Sequence, residues 1–308
     1  MTLPDTPFVL LDDARPGGAG ARLYHGVREI VRAAAPGDGV AALDGRRDGA
    51  GHVAGVLNYE AASGLEPRAA TRDLPALCLW FGRFAERVRV DPAALLPDPA
   101  GAWAGAPVPA ITRADYQGQF ARVADYIGAG DIYQANLTFR AAVPFAGHPA
   151  ALYALLRSRA RAGYGALIFT GERWILSFSP ELFFTFDRIG LAVKPMKGTA
   201  RRGSTPAEDD ALAAQLAADP KERAENVMIV DLMRNDLARI ARPGTVRVPA
   251  LFAVERYPTV HQMVSTVTAE PAPGVAAVDA LAALFPCGSV TGAPKLRAME
   301  VIAEVERD

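Results

Sequence analysis

The sequence has few cysteines and no excess of charge of either sign, and both features narrow the function classes. Its two cysteines, Cys78 and Cys287, are too few for a disulfide framework and lack the spacing of a metal site. Lysine plus arginine (33) nearly balances aspartate plus glutamate (34), so no charge block predicts binding to nucleic acid or to a membrane surface. No basic region precedes the first apolar run, and no apolar run is long enough to cross a bilayer. The sequence therefore predicts a soluble, cytoplasmic protein.

Half of the 308 residues are hydrophobic, which is enough for a sizeable core in one large or two smaller units. Residues 91–110 are rich in Pro, Ala and Gly and form the best candidate for a linker. Antiparallel-type strands mixed with long helices predict an α+β fold and not a doubly wound parallel sheet. The predicted strands are 8–11, 53–59, 77–90, 132–140, 164–169, 174–179, 182–187, 191–196, 245–249 and 259–270, and the predicted helices are 22–34, 113–129, 149–162, 219–240, 275–285 and 294–306.

The longest predicted helix, residues 219–240, begins with a capping aspartate and a proline at the first helical position. At roughly 100° per residue, its buried stripe comprises Ile229, Met233, Leu237 and Ile240. Extended towards the N-terminus, the same stripe reaches Glu222 and Glu225, so two carboxylates one turn apart face the interior. A buried carboxylate requires a partner, and magnesium is typically held by one or two carboxylates plus water and substrate oxygens. The alternative is a solvated first turn whose acids are favoured by the helix dipole.

Two further residues follow or end hydrophobic strands, where burial would change their chemistry. Glu181 lies in Ser-Pro-Glu between two predicted strands, where partial desolvation would raise its pKa as a general acid requires. Lys197 ends a predicted strand and precedes Gly198 and Thr199, so it can enter a cleft and act as a neutral nucleophile. An ordinary turn acid and a solvated turn lysine are the competing interpretations.

Two other candidate sites are a histidine within a predicted strand and a polar loop before a predicted helix. His261 lies within the predicted strand 259–270 and therefore on one face of a sheet. The loop 288–295, Gly-Ser-Val-Thr-Gly-Ala-Pro-Lys, leads into a helix whose free N–H groups would favour a carboxylate. A structural histidine and a plain helix cap are the competing interpretations.

Taken in order, these stretches resemble the chorismate-utilising enzymes, which include anthranilate synthase component I, aminodeoxychorismate synthase component I, isochorismate synthase and salicylate synthase. The similar segments are GDIYQANL, SPELF, PMKGT, KERAENVMIVDLMRND, VHQMVSTV and FPCGSVTGAPK. The resemblance covers about residues 112–308. It implies an N-terminal region, 1–105, and a chorismate-binding domain, 106–308. The implied fold consists of two large antiparallel sheets packed face to face with helices outside.

The resemblance also implies a role for each residue singled out above. Glu222 and Glu225 would hold Mg²⁺, Lys197 would be the nucleophile and Glu181 the general acid. The expected binding residues for chorismate are Gln134, Gly198, Thr199, Thr291 and Gly292, with His261 near the substrate ring. A separate glutamine amidotransferase subunit would supply ammonia.

Two positions discriminate between members of the family. Isochorismate and salicylate synthases have a water-activating lysine where this chain has Gln134, and anthranilate synthases generally have alanine where it has Lys197. The expected activity is therefore that of aminodeoxychorismate synthase component I, which serves p-aminobenzoate and folate biosynthesis. Anthranilate synthase component I is the alternative, although Leu10-Leu11-Asp12-Asp13 only partly matches its tryptophan-site motif. Family members continue beyond the position of Asp308 with a second acidic helix. A C-terminally truncated chain, and hence an inactive remnant that binds chorismate or the amidotransferase, is a further expectation.

Overall fold

A computed structural model describes residues 2–33, 51–72, 78–187 and 189–306. The strands of these residues are β1 (Phe8–Asp13), β2 (Gly20–Ala33), β3 (His52–Leu57), β4 (Leu79–Val90), β5 (Trp103–Ala104), β6 (Val108–Pro109), β7 (Gln134–Ala135), β8 (Ala141–Ala142), β9 (Phe145–Ala146), β10 (Tyr164–Phe169), β11 (Trp174–Ser179), β12 (Leu182–Phe186), β13 (Leu191–Lys194), β14 (Met196–Arg201), β15 (Arg247–Arg256), β16 (Val260–Ala269) and β17 (Gly292–Ala293). The helices are α1 (Ala62–Leu65), α2 (Pro92–Leu95), α3 (Arg113–Gly128), α4 (Pro149–Ala160), α5 (Pro206–Ala218), α6 (Pro220–Ala238), α7 (Ala277–Leu284) and α8 (Lys295–Val305).

The first sheet has six strands in the order β11-β10-β1-β2-β4-β3, and all neighbours are antiparallel. Strand β1 lies in its middle because its apolar residues pair on both edges: Leu10 lies opposite Leu167 on β10 and opposite Leu23 on β2. All three leucines are fully buried. The N-terminal strands and residues 164–179 thus form one sheet, and the division into 1–105 and 106–308 remains a prediction.

The second sheet has β16 at its centre. Strand β15 pairs with one edge of β16, while β13 and then β14 pair with its other edge, and β12 completes the sheet beside β13. Helix α6 packs on this sheet through the predicted stripe, since Ile229, Met233 and Leu237 are at most 2 % exposed and share a core with Val267 of β16. The expected α+β architecture with two large antiparallel sheets is confirmed.

Local signals predicted helix α6 well. Asp219 caps it by accepting hydrogen bonds from the backbone N–H groups of Lys221 (2.9 Å) and Glu222 (3.0 Å), and Pro220 occupies the first turn. Helix α5 was not predicted, although Thr205 caps it through the N–H of Glu208 at 3.2 Å and a proline follows the cap. The Thr-Pro-x-Glu pattern was the available signal.

The helix predicted over residues 22–34 is wrong. Those residues that the structure describes lie in strand β2, which pairs along its length with β4; for example, Val31 lies opposite Phe81. Tertiary pairing of β-branched and aromatic side chains here outweighs any local helical tendency. The predicted strand 132–140 shortens to β7, and within the predicted linker 91–110 two short strands pair with β9 and β8.

Candidate active site

Lys197 lies on β14 at an irregularity in its pairing with β16, between Met196 and Thr199. The next residue, Gly198, has φ of +98°, and a Cβ there would lie 3.1 Å from Glu222 Oε2. A side chain at this position would be strained, and its Cβ would also lie 3.2 Å from Met263 Cβ and 3.3 Å from Glu222 Cβ, which is tighter than ordinary contact. Glycine therefore allows the Lys197 strand to approach the carboxylates of α6 closely.

The Lys197 amine is half-buried and, within the residues that the structure describes, forms no ion pair or hydrogen bond. Burial lowers the pKa of Lys197 because desolvation disfavours the ammonium, and the charges of Glu181 and Glu225 oppose this effect only in part. The environment thus favours the neutral amine, which is the nucleophilic form.

Glu181, between β11 and β12, is held beside this lysine by two hydrogen bonds. Its Oε1 accepts from the Ser289 hydroxyl at 2.5 Å and from the backbone N–H of Met196 at 3.4 Å. Burial raises the pKa of Glu181, and these bonds and the charge of Lys197 offset that rise only in part. Glu181 therefore takes up a proton more readily than an exposed glutamate does. The sequence pattern assigns no role to Ser289, whose hydroxyl also lies 3.1 Å from Cys287 Sγ.

Glu222 and Glu225 lie one turn apart on α6, and their side chains are 23 % and 39 % exposed. The ammonium of Lys221 lies 3.6 Å from Glu222 and 3.3 Å from Glu225, so the two carboxylates already share a cation. No group of three or more potential metal-ligating side chains occurs in the described part of the chain. The donor set consists of two carboxylates, which suits a hard cation that keeps water or substrate oxygens in its shell.

Gln134, Thr291 and Gly292 come together where β7 pairs with β17. Gly292 lies opposite Ala135, and a Cβ on Gly292 would lie 2.4 Å from the Gln134 carbonyl oxygen, so only glycine allows this approach. Thr291 is fully buried, and its hydroxyl donates to the Cys287 carbonyl at 2.8 Å. Its side chain holds the loop together, and its role towards substrate remains a prediction.

The structure separates His261 from Thr199. The Thr199 hydroxyl donates to Gln262 Oε1 at 3.0 Å, whereas the neighbouring His261 is fully buried with Nε2 2.9 Å from Asp209 Oδ1 on α5. Alternation along β16 explains this, because successive side chains point to opposite faces of a sheet. The catalytic role of His261 stays a prediction. Gln262, which the sequence reasoning missed, is the residue that lies beside Thr199.

A protein-family model for chorismate binding enzymes matches residues 22–308. The chain belongs to this family. Aminodeoxychorismate synthase component 1 from Klebsiella aerogenes is 45 % identical over 196 residues, covering 64 % of this chain and 44 % of that protein. Anthranilate synthase component 1 from Streptomyces coelicolor is 44 % identical over 197 residues, covering 64 % of this chain and 39 % of that protein. The matched segments span less than half the length of these two relatives.

The fold is shared with solved structures of the family. A crystal structure of anthranilate synthase component I from Streptococcus pneumoniae aligns with a TM-score of 0.74 at 24 % identity, covering 97 % of this chain and 75 % of that chain. This likeness confirms the expected fold. Among the described residues, no helix has both the length and the apolar character needed to cross a membrane.

Proposed function

We propose that this protein is an aminodeoxychorismate synthase component I, which converts chorismate and ammonia to 4-amino-4-deoxychorismate. The observation that carries the proposal is the proximity of Lys197, whose pKa is lowered by burial, to Glu181, whose pKa is raised by burial. A neutral amine and a protonated carboxyl are the forms that a nucleophile and a general acid require. The cytoplasm remains the predicted location.

Lys197 and Glu181 divide the first step between them. The Lys197 amine attacks the ring carbon next to the carbon that bears the ring carboxylate, and the ring double bonds shift as the distant hydroxyl departs. Glu181 gives its proton to that hydroxyl, which leaves as water, and the resulting carboxylate takes up the proton that the lysine nitrogen releases. Ammonia then attacks the carbon that lost the hydroxyl, the double bonds shift back, and Lys197 leaves as a neutral amine, its nitrogen having taken up the proton released by the incoming ammonia. Each step makes one bond to the ring and breaks one.

Glu222 and Glu225 would hold Mg²⁺, because their carboxylates converge enough to share the Lys221 ammonium. When bound, the cation supplies positive charge for the ring carboxylate of chorismate. The close approach at Gly198 keeps these carboxylates beside the Lys197 strand, so the chain itself places the carboxylate end of the substrate near the nucleophile. A glutamine amidotransferase subunit is the proposed source of ammonia.

The second candidate function is that of anthranilate synthase component I, favoured by the 44 % identity to the Streptomyces coelicolor protein. That identity is almost equal to the 45 % found for the Klebsiella aerogenes aminodeoxychorismate synthase, so similarity alone does not decide the product. Lys197 decides it in this proposal, because a covalent bond at the nearer ring carbon directs ammonia to the farther one.

The test is product analysis with chorismate, Mg²⁺ and ammonium, by chromatography and mass spectrometry. We expect 4-amino-4-deoxychorismate from the parent and a loss of at least about 10³-fold in Lys197→Ala, with the fold intact, because a partly exposed side chain contributes little packing. Lys194→Ala is the matched control, since Lys194 lies three residues away and pairs with Glu255 at 2.7 Å. Formation of anthranilate by the parent protein would support the function of anthranilate synthase component I. Binding of chorismate without any product would show that the chain is an inactive remnant of such an enzyme.

A further inference from the structure

We propose that Asn226 is a positioning residue, whose side chain holds the Lys197 backbone at a fixed place beside the carboxylates of α6. This inference rests on the proposed function of Lys197 as nucleophile. Asn226 follows Glu225 directly on α6 and is 1 % exposed. Its Nδ2 donates to the Lys197 carbonyl oxygen at 3.3 Å, which links the helix to the strand that carries the nucleophile.

The other end of the Asn226 amide is also fixed. Its Oδ1 accepts from the hydroxyl of Ser265 on β16 at 2.5 Å, and Ser265 is fully buried. The Ser265 oxygen in turn accepts from the backbone N–H of Phe252 at 3.1 Å. Because the Lys197 carbonyl can only accept, the amide must present its NH₂ to Lys197 and its Oδ1 to the Ser265 hydroxyl, so the network sets the orientation of Asn226.

Phe252, at one end of this network, has a strained backbone conformation. Phe252 has φ of +59°, in the left-handed region that non-glycine residues rarely adopt, at an irregularity in the pairing of β15 with β16. Its ring lies 4.6 Å from the Arg223 guanidinium carbon, on the first turn of α6. The strained backbone therefore points an N–H at Ser265 while the side chain contacts the helix that carries Asn226.

The hydrogen bond from Asn226 matters for the Lys197 backbone because the pairing of its own strand with β16 is interrupted there. Regular pairing of β14 with β16 resumes only at Thr199, and Gly198 has a backbone conformation that only glycine adopts easily. Asn226 supplies a hydrogen bond at the point where the ladder is irregular. A displacement of about 1 Å at a reacting group can cost on the order of 10²-fold in rate, so a single such bond can matter for catalysis.

The test exploits the fact that lysine occurs at four positions only, 194, 197, 221 and 295. Protein grown on lysine with ¹³C at the carbonyl and at the ε-carbon gives four signals of each kind, and the missing signals of Lys197→Arg assign those of Lys197. We expect Asn226→Ala to move both Lys197 signals and to leave those of the other three lysines in place. Ser265→Ala, a milder change that removes only the orienting hydroxyl, should move them in the same direction by less. Ile229→Val, a fully buried position one turn along α6, should move neither.

Kinetics with chorismate, Mg²⁺ and ammonium give the second readout. We expect kcat to fall on the order of 10²-fold in Asn226→Ala. The KM for chorismate should stay within about twofold, because the nucleophile moves and the binding groups do not. An unmoved Lys197 carbonyl signal in both variants, an equal shift in Ile229→Val, or an unchanged kcat in Asn226→Ala would overturn the inference. If the parent shows no turnover, the proposed function fails, and the ε-carbon signal alone decides whether Asn226 positions the amine.

Discussion

Asp209 and Glu181 are two carboxylates close to the same sheet, and their surroundings drive their pKa values in opposite directions. Asp209 on α5 accepts two bonds from Arg202, both 2.7 Å, one from the Gly203 N–H and one from His261. The Arg202 bonds are the main reason that its pKa lies far below the usual range. Among the described residues, Glu181 accepts hydrogen bonds from the Ser289 hydroxyl and from one distant backbone N–H, and burial outweighs these bonds and the Lys197 charge, so its pKa rises.

The difference separates a structural site from a chemical one. Where donors surround a carboxylate, the ionised form is locked in place and cannot exchange a proton near neutral pH. Where burial outweighs the donors, the pKa of the carboxyl rises, which is the direction that a general acid requires. His261 lies against the Asp209 carboxylate and Lys197 interacts with the Glu181 carboxyl, and the catalytic role of each remains a prediction.

A large loss of rate is expected from removing the acidic proton of Glu181. Glutamine at position 181 keeps the shape but has no acidic proton, so Glu181→Gln should lower the rate of product formation on the order of 10³-fold. The folded pKa is raised, so the parent loses stability as pH rises above the ordinary glutamate value, and the variant should melt at an equal or higher temperature at neutral pH. Glu172→Gln, at a 68 % exposed side chain, is the control. Normal turnover by folded Glu181→Gln would remove Glu181 from the mechanism.

A third type of carboxylate sharpens the comparison. The Glu225 side chain is 39 % exposed, and among the described residues it forms an ion pair only with Lys221. Because a neutral amide is a poor ligand for Mg²⁺, Glu225→Gln should abolish magnesium-dependent activity, with no change in the melting curve beyond about 2 °C. Asp231→Asn, on the exposed side of the same helix and paired with Arg234, is the matched control. A magnesium-saturable variant of normal rate would contradict the assignment.

The smallest effect on turnover is expected at the locked carboxylate. Asp209→Asn leaves the cations around it uncompensated, so the melting temperature should fall on the order of 10 °C at neutral pH, while the rate of the folded variant changes little. Since the folded pKa of Asp209 is lowered, its stabilisation is present above the ordinary aspartate pKa of about 4 and disappears as pH falls further. The difference between parent and variant should therefore shrink below about pH 4. A large loss of turnover in a stable Asp209→Asn protein would break the distinction drawn here.

Elements that are determined by residues close together in sequence, such as helix α6, could be predicted. The cap at Asp219, the proline after it and the stripe through Ile229 and Met233 predict α6 without tertiary information. Strand β2 was missed because its structure comes from pairing with β4, which begins more than 40 residues after β2 ends.

The candidate site was predicted residue by residue, but its network was not. Lys197 and Glu181 could be named because each lies at the edge of a predicted strand beside Gly198 or Pro180, and Glu222 and Glu225 because they continue the predicted stripe of the long helix. The sequence shows that His261 lies on one face of a strand but not which helix covers that face, and α5 was not predicted. Asn226 and Ser265 are far apart in sequence, and only the packing of α6 on β16 brings them together.

The most direct test of the account replaces Lys197 with arginine, which keeps the positive charge but cannot become a neutral nucleophile. The measurement is the rate of 4-amino-4-deoxychorismate formation from chorismate, Mg²⁺ and ammonium by the parent and by Lys197→Arg, with chorismate binding measured in parallel. The account predicts that the variant binds chorismate and forms no product above the level of Lys197→Ala. Product formation near the parent rate would show that Lys197 acts only through its charge, and would contradict the covalent mechanism.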